Sequence, residues 1–121
     1  MTLHIRRHAN SLTLFTALLA FAVAGAGCYP RAGPAPGALS ASSVTWASAR
    51  WPGVTVSSLA GGRELFLAKC NGCHEYPDLS VIGDQRWPGI LERMARKSHI
   101  DADGRDAILH YVLAVRSQGG A

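Results

Sequence analysis

The sequence predicts a small all-α domain, and three observations carry that prediction. Apolar residues recur at helical spacing around Leu65 and Phe66, around Ile90, Leu91 and Met94, and around Ile108, Tyr111, Val112 and Val115. No segment alternates apolar and polar residues over strand length. The chain has 121 residues, and the region able to form a core runs only from Leu59 to Arg116. A core that small is marginal without a disulfide, a metal or a cofactor.

Taken in order, residues 1–27 read as a secretory signal. His4, Arg6, Arg7 and His8 give a basic start, Leu12 to Val23 is apolar or hydroxyl-bearing, and small residues follow to Gly27. Extended to Ala26, the run is 15 residues long, short of the roughly 18–20 that span a bilayer. An uncleaved anchor is the alternative, and in both cases the remainder leaves the cytoplasm. The stretch "AGAGC" ending at Cys28 resembles the lipobox of bacterial lipoproteins, whose cysteine is acylated and becomes the mature N-terminus. Ala26 and Gly27 fit that pattern, whereas Gly25 stands where an aliphatic residue is usual. The resemblance implies a lipid anchor at Cys28 on the periplasmic side of a bacterial membrane. The alternative is ordinary cleavage nearby, leaving a soluble periplasmic chain with a free thiol.

Residues 28–58 are expected to form a tether and packing segment. Up to about residue 43 they are mostly Pro, Ala, Gly and Ser, the composition of a flexible, partly extended linker. Trp46 and Trp51 are too apolar for a linker and predict packing against the domain, with a turn at Trp51-Pro52-Gly53. The domain itself is expected over 59–116. Its helices run from Gly61 to Asn71, from Pro88 to Lys97 with proline in the first turn, and onward from a cap at Asp101 or Asp103. The last ends before Gly119 and Gly120, so 117–121 is a tail. "DADG" at 101–104 resembles the start of a calcium loop but lacks the later ligands, so a helix cap is the simpler reading.

Charge excludes little. The whole chain carries +4, but from residue 28 onward ten Lys and Arg face eight Asp and Glu, a balance that gives no reason to invoke nucleic acid. Paired carboxylates, a Ser-His arrangement and a phosphate-cradling loop are not apparent, so an enzyme is not expected.

The chemistry concentrates in "CNGCH" at 70–74. A thioredoxin-like dithiol needs a strand-helix unit and a parallel sheet. A zinc site needs a second ligand pair. A disulfide between Cys70 and Cys73 closes too small a loop to stabilise much. Covalent haem c needs what is present. Two thiols three residues apart share a helical face and reach both vinyl groups of one porphyrin edge, and His74 is carried beneath the iron as its proximal ligand.

With these residues in view, the chain resembles the class I c-type cytochromes with a single haem. That family places a glycine, an aromatic and the first haem cysteine at four-residue intervals, matched here by Gly62, Phe66 and Cys70. The resemblance implies that Tyr111 packs across the first helix at Gly62 and that Phe66 and Tyr111 help form the haem crevice. It implies that the backbone around Pro77 holds the second nitrogen of His74, and that a methionine completes the iron. Met1 leaves with the signal, so Met94 is the candidate distal ligand. His99 is its rival, His110 a more distant one, and an open distal position remains. Met94 departs from the family pattern by lying in a helix. The function implied is one-electron transfer between periplasmic or membrane-bound redox proteins. The alternative is a haem-based ligand sensor or the haem subunit of a dehydrogenase. Arg93, Arg96 and Lys97 read as a solvated helix face, or as a docking patch for an acidic redox partner.

Overall fold

The computed structural model describes residues 32–119. Four helices follow in chain order: α1 (Ala41–Arg50), α2 (Val56–Lys69), α3 (Trp87–Lys97) and α4 (Ala102–Arg116). Two 3-10 turns, Leu79–Val81 and Asp84–Arg86, connect α2 to α3. Among the described residues no strand forms, and an isolated antiparallel bridge joins Ala32 to Pro77. The architecture is all-α. The signal segment 1–27, Cys28 and the last two residues of the tail lie outside the described residues.

Each helix start has a local cause. Ser40 caps α1 by accepting from Ser43 N. Thr55 and Ser58 cap α2 reciprocally, a capping box that begins the helix at Val56 instead of Gly61. Pro88 sits in the first turn of α3, where its missing N–H has no helical partner to lose. The Asp101 carboxylate accepts from Gly104 N at 2.8 Å and caps α4, which is how the "DADG" stretch is used. The expected turn forms too. Val54 N donates to Trp51 O at 3.1 Å, with Pro52 second and Gly53 third at φ 90°, the left-handed position of a type II turn.

The principal packing contact is α2 against α4. Gly62 and Phe66 of α2 and Gly104, Ile108 and Tyr111 of α4 are buried. A Cβ on Gly62 would strike the Ala107 carbonyl and would lie 3.2 Å from the Tyr111 Cβ. Only a glycine lets the two backbones approach this closely. Phe66, Ile82, Trp87, Leu91, Ile108, Tyr111 and Val112 form the main core, and α3 lies on it through Trp87 and Leu91. Glu92 of α3 holds Arg105 of α4 at 2.6 Å and Arg96 at 2.7 Å. Arg116 reaches Asp84 at 2.7 Å. Pairs this exposed add only about 0–1 kcal/mol each, so the core sets the geometry.

The segment preceding α2 differs from the expected tether. Residues 41–50 are helical, and the chain already packs from Gly33 onward. The buried face of α1 consists of Ser43 and Ala47, and Ala47 meets Leu59 and Ala114 in a second cluster that Trp46, Trp51 and Val54 cover. Small side chains allow that contact, and an apolar pattern made of alanine and serine gives almost no periodic signal. The folded unit therefore includes the strap 32–40 and α1 as well as residues 59–116.

The crossing makes a paired prediction. Gly62→Ala overpacks the interface and lowers stability by about 1–3 kcal/mol. A Cβ at the neighbouring Gly61 meets no atom within 4 Å, so Gly61→Ala is neutral or stabilising by about 0.5–1 kcal/mol. Urea unfolding of the two variants beside the parent checks both signs.

Candidate functional site

The C-terminal end of α2 leads straight into the cysteine motif. Cys70 is the cap residue, its N–H donating to Phe66 O at 2.9 Å. It is half-buried against the main core, and burial pushes its thiol up to about 11. Cys73 is exposed, and both are free thiols. A dithiol oxidoreductase activates its attacking cysteine at a helix N-terminus, where the dipole favours thiolate. Cys70 has the reverse placement, at a helix C-terminus and partly desolvated. Cys70 therefore lacks the helix N-terminal activation that an attacking thiol of that kind uses.

His74 is exposed, with Nδ1 2.6 Å from the Glu75 carbonyl. A carbonyl only accepts, so Nδ1 carries the proton and Nε2 keeps its lone pair for a metal. The carbonyl that holds Nδ1 belongs to Glu75, not to the backbone around Pro77. Pro77 is instead engaged by Ala32 in the antiparallel bridge.

Tyr76 is a site residue that sequence reasoning missed. Its hydroxyl donates to Leu67 O at 2.9 Å, and its ring stacks on Phe66 at 5.6 Å and 17°. Its carbonyl accepts from Gly33 N at 2.7 Å. The loop carrying Cys73 and His74 is thus fixed at one end by Cys70 and at the other by Tyr76. Phe66 in turn lies 6.1 Å from Tyr111, so Cys70, Phe66, Tyr76 and Tyr111 belong to one packed group. An aromatic two residues beyond a motif histidine carries no periodic signal of its own.

Trp87 is the second residue missed. It is fully buried, and its Nε1 has no hydrogen-bond partner. An orphaned buried N–H costs about 1–3 kcal/mol, a cost that an anionic or carbonyl acceptor brought in by a bound group would remove.

The distal candidates are dispersed. Met94 is half-buried on α3, between the buried Leu91 and Ala95. His99 is exposed and has φ 53°. It takes the left-handed position that ends α3, where Ile100 N returns to Ala95 O at 2.9 Å, a turn that usually employs glycine. His110 packs against Trp51 with ring centroids 4.4 Å apart and the planes tilted by 38°. Burial lowers its pKa from 6.5, opposed by the nearby Asp106 carboxylate. Arg96 in the basic stretch is occupied by Glu92, which offsets part of the charge of Arg93, Arg96 and Lys97. Among the described residues no three His, Cys, Asp or Glu side chains converge as a metal cage of their own.

These residues fit a covalently held haem. Two free thiols precede an imidazole whose outer nitrogen is available, and aromatic side chains pack beside the first thiol. Comparison with protein-family models, curated proteins and solved structures gives no match.

Two outcomes test the site's supports. Tyr76→Phe forfeits the bond to Leu67 and costs about 0.5–1.5 kcal/mol, while Tyr76→Leu forfeits the ring pair as well, a further 0.5–1.5 kcal/mol or about that. Thermal unfolding of the parent and both variants gives the ranking. His110 protonates less readily in the folded chain than in the unfolded one, so its stabilising contribution is full above pH 6.5 and is lost as pH falls through the lowered value. His110→Gln flattens that part of the stability–pH profile, measured by urea midpoints across the acidic range.

Proposed function

We propose that this chain is a monohaem c-type cytochrome that carries one electron between redox proteins on the periplasmic side of a bacterial membrane, attached through a lipid on Cys28. The observation that carries this reading is the position of the cysteine motif. It stands at the C-terminal end of α2, immediately beyond the close crossing of Gly62 and Phe66 with Tyr111.

Cys70 and Cys73 would hold the group through their two sulfurs, and His74 would bind the iron through Nε2. Haem c, when bound, supplies a one-electron ferric/ferrous couple, whose potential is higher with methionine–histidine ligation than with two histidines. The Glu75 carbonyl fixes the His74 tautomer and raises the basicity of its outer nitrogen. Phe66, Tyr76 and Tyr111 exclude water behind Cys70. Trp87 Nε1 has a proton to donate to an acceptor on the group. Met94 offers the distal thioether. His99 is favoured less, because its backbone is committed to the turn that ends α3.

The expected result is a haem stain that survives denaturing electrophoresis and a low-spin absorption spectrum in both oxidation states. Met94→Ala retains covalent haem, loses the long-wavelength charge-transfer band of methionine-ligated ferric haem, and lowers the potential. His99→Gly leaves the spectrum unchanged and raises stability by up to about 1 kcal/mol, since glycine accepts a left-handed backbone without the Cβ clash. An unaltered Met94→Ala spectrum together with an altered His99→Gly spectrum would reassign the distal ligand. A purified chain without haem would refute the reading.

A further inference from the structure

The strap 32–40 is fastened to the segment that follows the cysteine motif. Gly33 N donates to Tyr76 O at 2.7 Å, and Ala32 pairs with Pro77. Gly33 lies so near Asp78 that a Cβ there would fall 2.6 Å from the Asp78 Cα. Farther along, the Gly37 carbonyl accepts from the Tyr111 hydroxyl at 3.0 Å and from Arg63 Nε at 3.2 Å. The polypeptide is therefore fixed to the domain from Gly33 on.

Four residues, 29–32, separate Cys28 from Gly33. Five residue steps reach at most about 17 Å when fully extended. A long linker of the composition seen in residues 29–43 would have let the domain roam. The structure withdraws most of that length by packing it. Gly33, the point where the link ends, is hydrogen-bonded to the residue two positions after His74.

We propose that the face formed by the start of the strap and residues 75–80 is held against a phospholipid surface, so that the haem-bearing loop works at the bilayer surface. This rests on the reading of Cys28 as acylated and of Cys70, Cys73 and His74 as haem ligands. The chemistry of the face suits a neutral, zwitterionic surface. Ala32, Pro34, Ala35 and Ser80 are exposed, uncharged and small, and both signs of charge occur beside them, in Glu75, Asp78 and the adjoining Arg31, so the face has no strong bias toward anionic lipid. The short link does the holding, and two acyl chains anchor far more firmly than one. The redox partner served is one whose donor or acceptor group opens close to the membrane surface.

The test uses the full mature protein, reconstituted into phosphatidylcholine vesicles that contain a small fraction of dansyl-headgroup lipid, with haem quenching of dansyl emission as the readout. Inserting about 20 Gly/Ser residues between Tyr29 and Pro30 adds a coil of roughly 25 Å r.m.s. ahead of the Ala32–Pro77 bridge and every later strap contact. Quenching is expected to fall by at least about twofold in that variant, since such a coil exceeds the full reach of the native link. Mass spectrometry of the same samples reports the acyl group and the haem. Equal quenching in the parent and the insertion variant, with both groups present, overturns the proposal and leaves the function reading standing. A mature chain lacking either group overturns both.

Discussion

At Gly62 the backbone of α2 rests against the Ala107 carbonyl of α4, and the remainder of the fold is arranged around that approach. It places Phe66 one turn farther along α2, in reach of Tyr111, and Cys70 one turn beyond that, at the helix end. Ile108 and Val112 then continue the same face of α4 toward Leu91 and Trp87 of α3. A side chain at residue 62 would separate the helices and displace every one of these contacts together. For a folded unit this small, close backbone packing substitutes for apolar area that the chain does not have.

Chemical character in the candidate site follows from placement. Cys70 and Cys73 are the same residue type, three positions apart, yet one closes a helix and leans on the core while the other stands in solvent. Burial disfavours the thiolate of the first, while the second stands open to solvent. His74, equally exposed, gains definition from a neighbouring carbonyl that settles which nitrogen is protonated. The segment beyond it is pinned by Tyr76, whose ring and hydroxyl engage α2 at Phe66 and Leu67 and whose carbonyl engages the strap at Gly33. The site is therefore rigid at its ends and open in its middle.

Much of this could be read from residue order. The helical periods of α3 and α4, the proline in α3, the Asp101 cap, the Trp51-Pro52-Gly53 turn and the Gly62–Phe66–Cys70 spacing are local or nearly local signals. What escaped were features that leave no apolar period, some of them local and some between distant residues. The helix α1 buries serine and alanine, so it shows no apolar stripe, and the start of α2 at Val56 depends on a polar capping box of Thr55 and Ser58 outside the apolar pattern. The strap resembles a linker because proline and glycine serve both an extended linker and a tightly packed one. Tyr76 and Trp87 matter through what surrounds them, which no spacing rule encodes. His99 is a ligand candidate by residue type, and the turn its backbone closes at the end of α3 is a second role that residue type does not show.

The bond from the Tyr111 hydroxyl to the Gly37 carbonyl spans 74 positions of chain, and that separation orders assembly in time. Contacts so remote in sequence close late, after helices and neighbouring turns have formed. The strap's nearer partners, Arg63 and Tyr76, can hold it before the contact with the last helix closes.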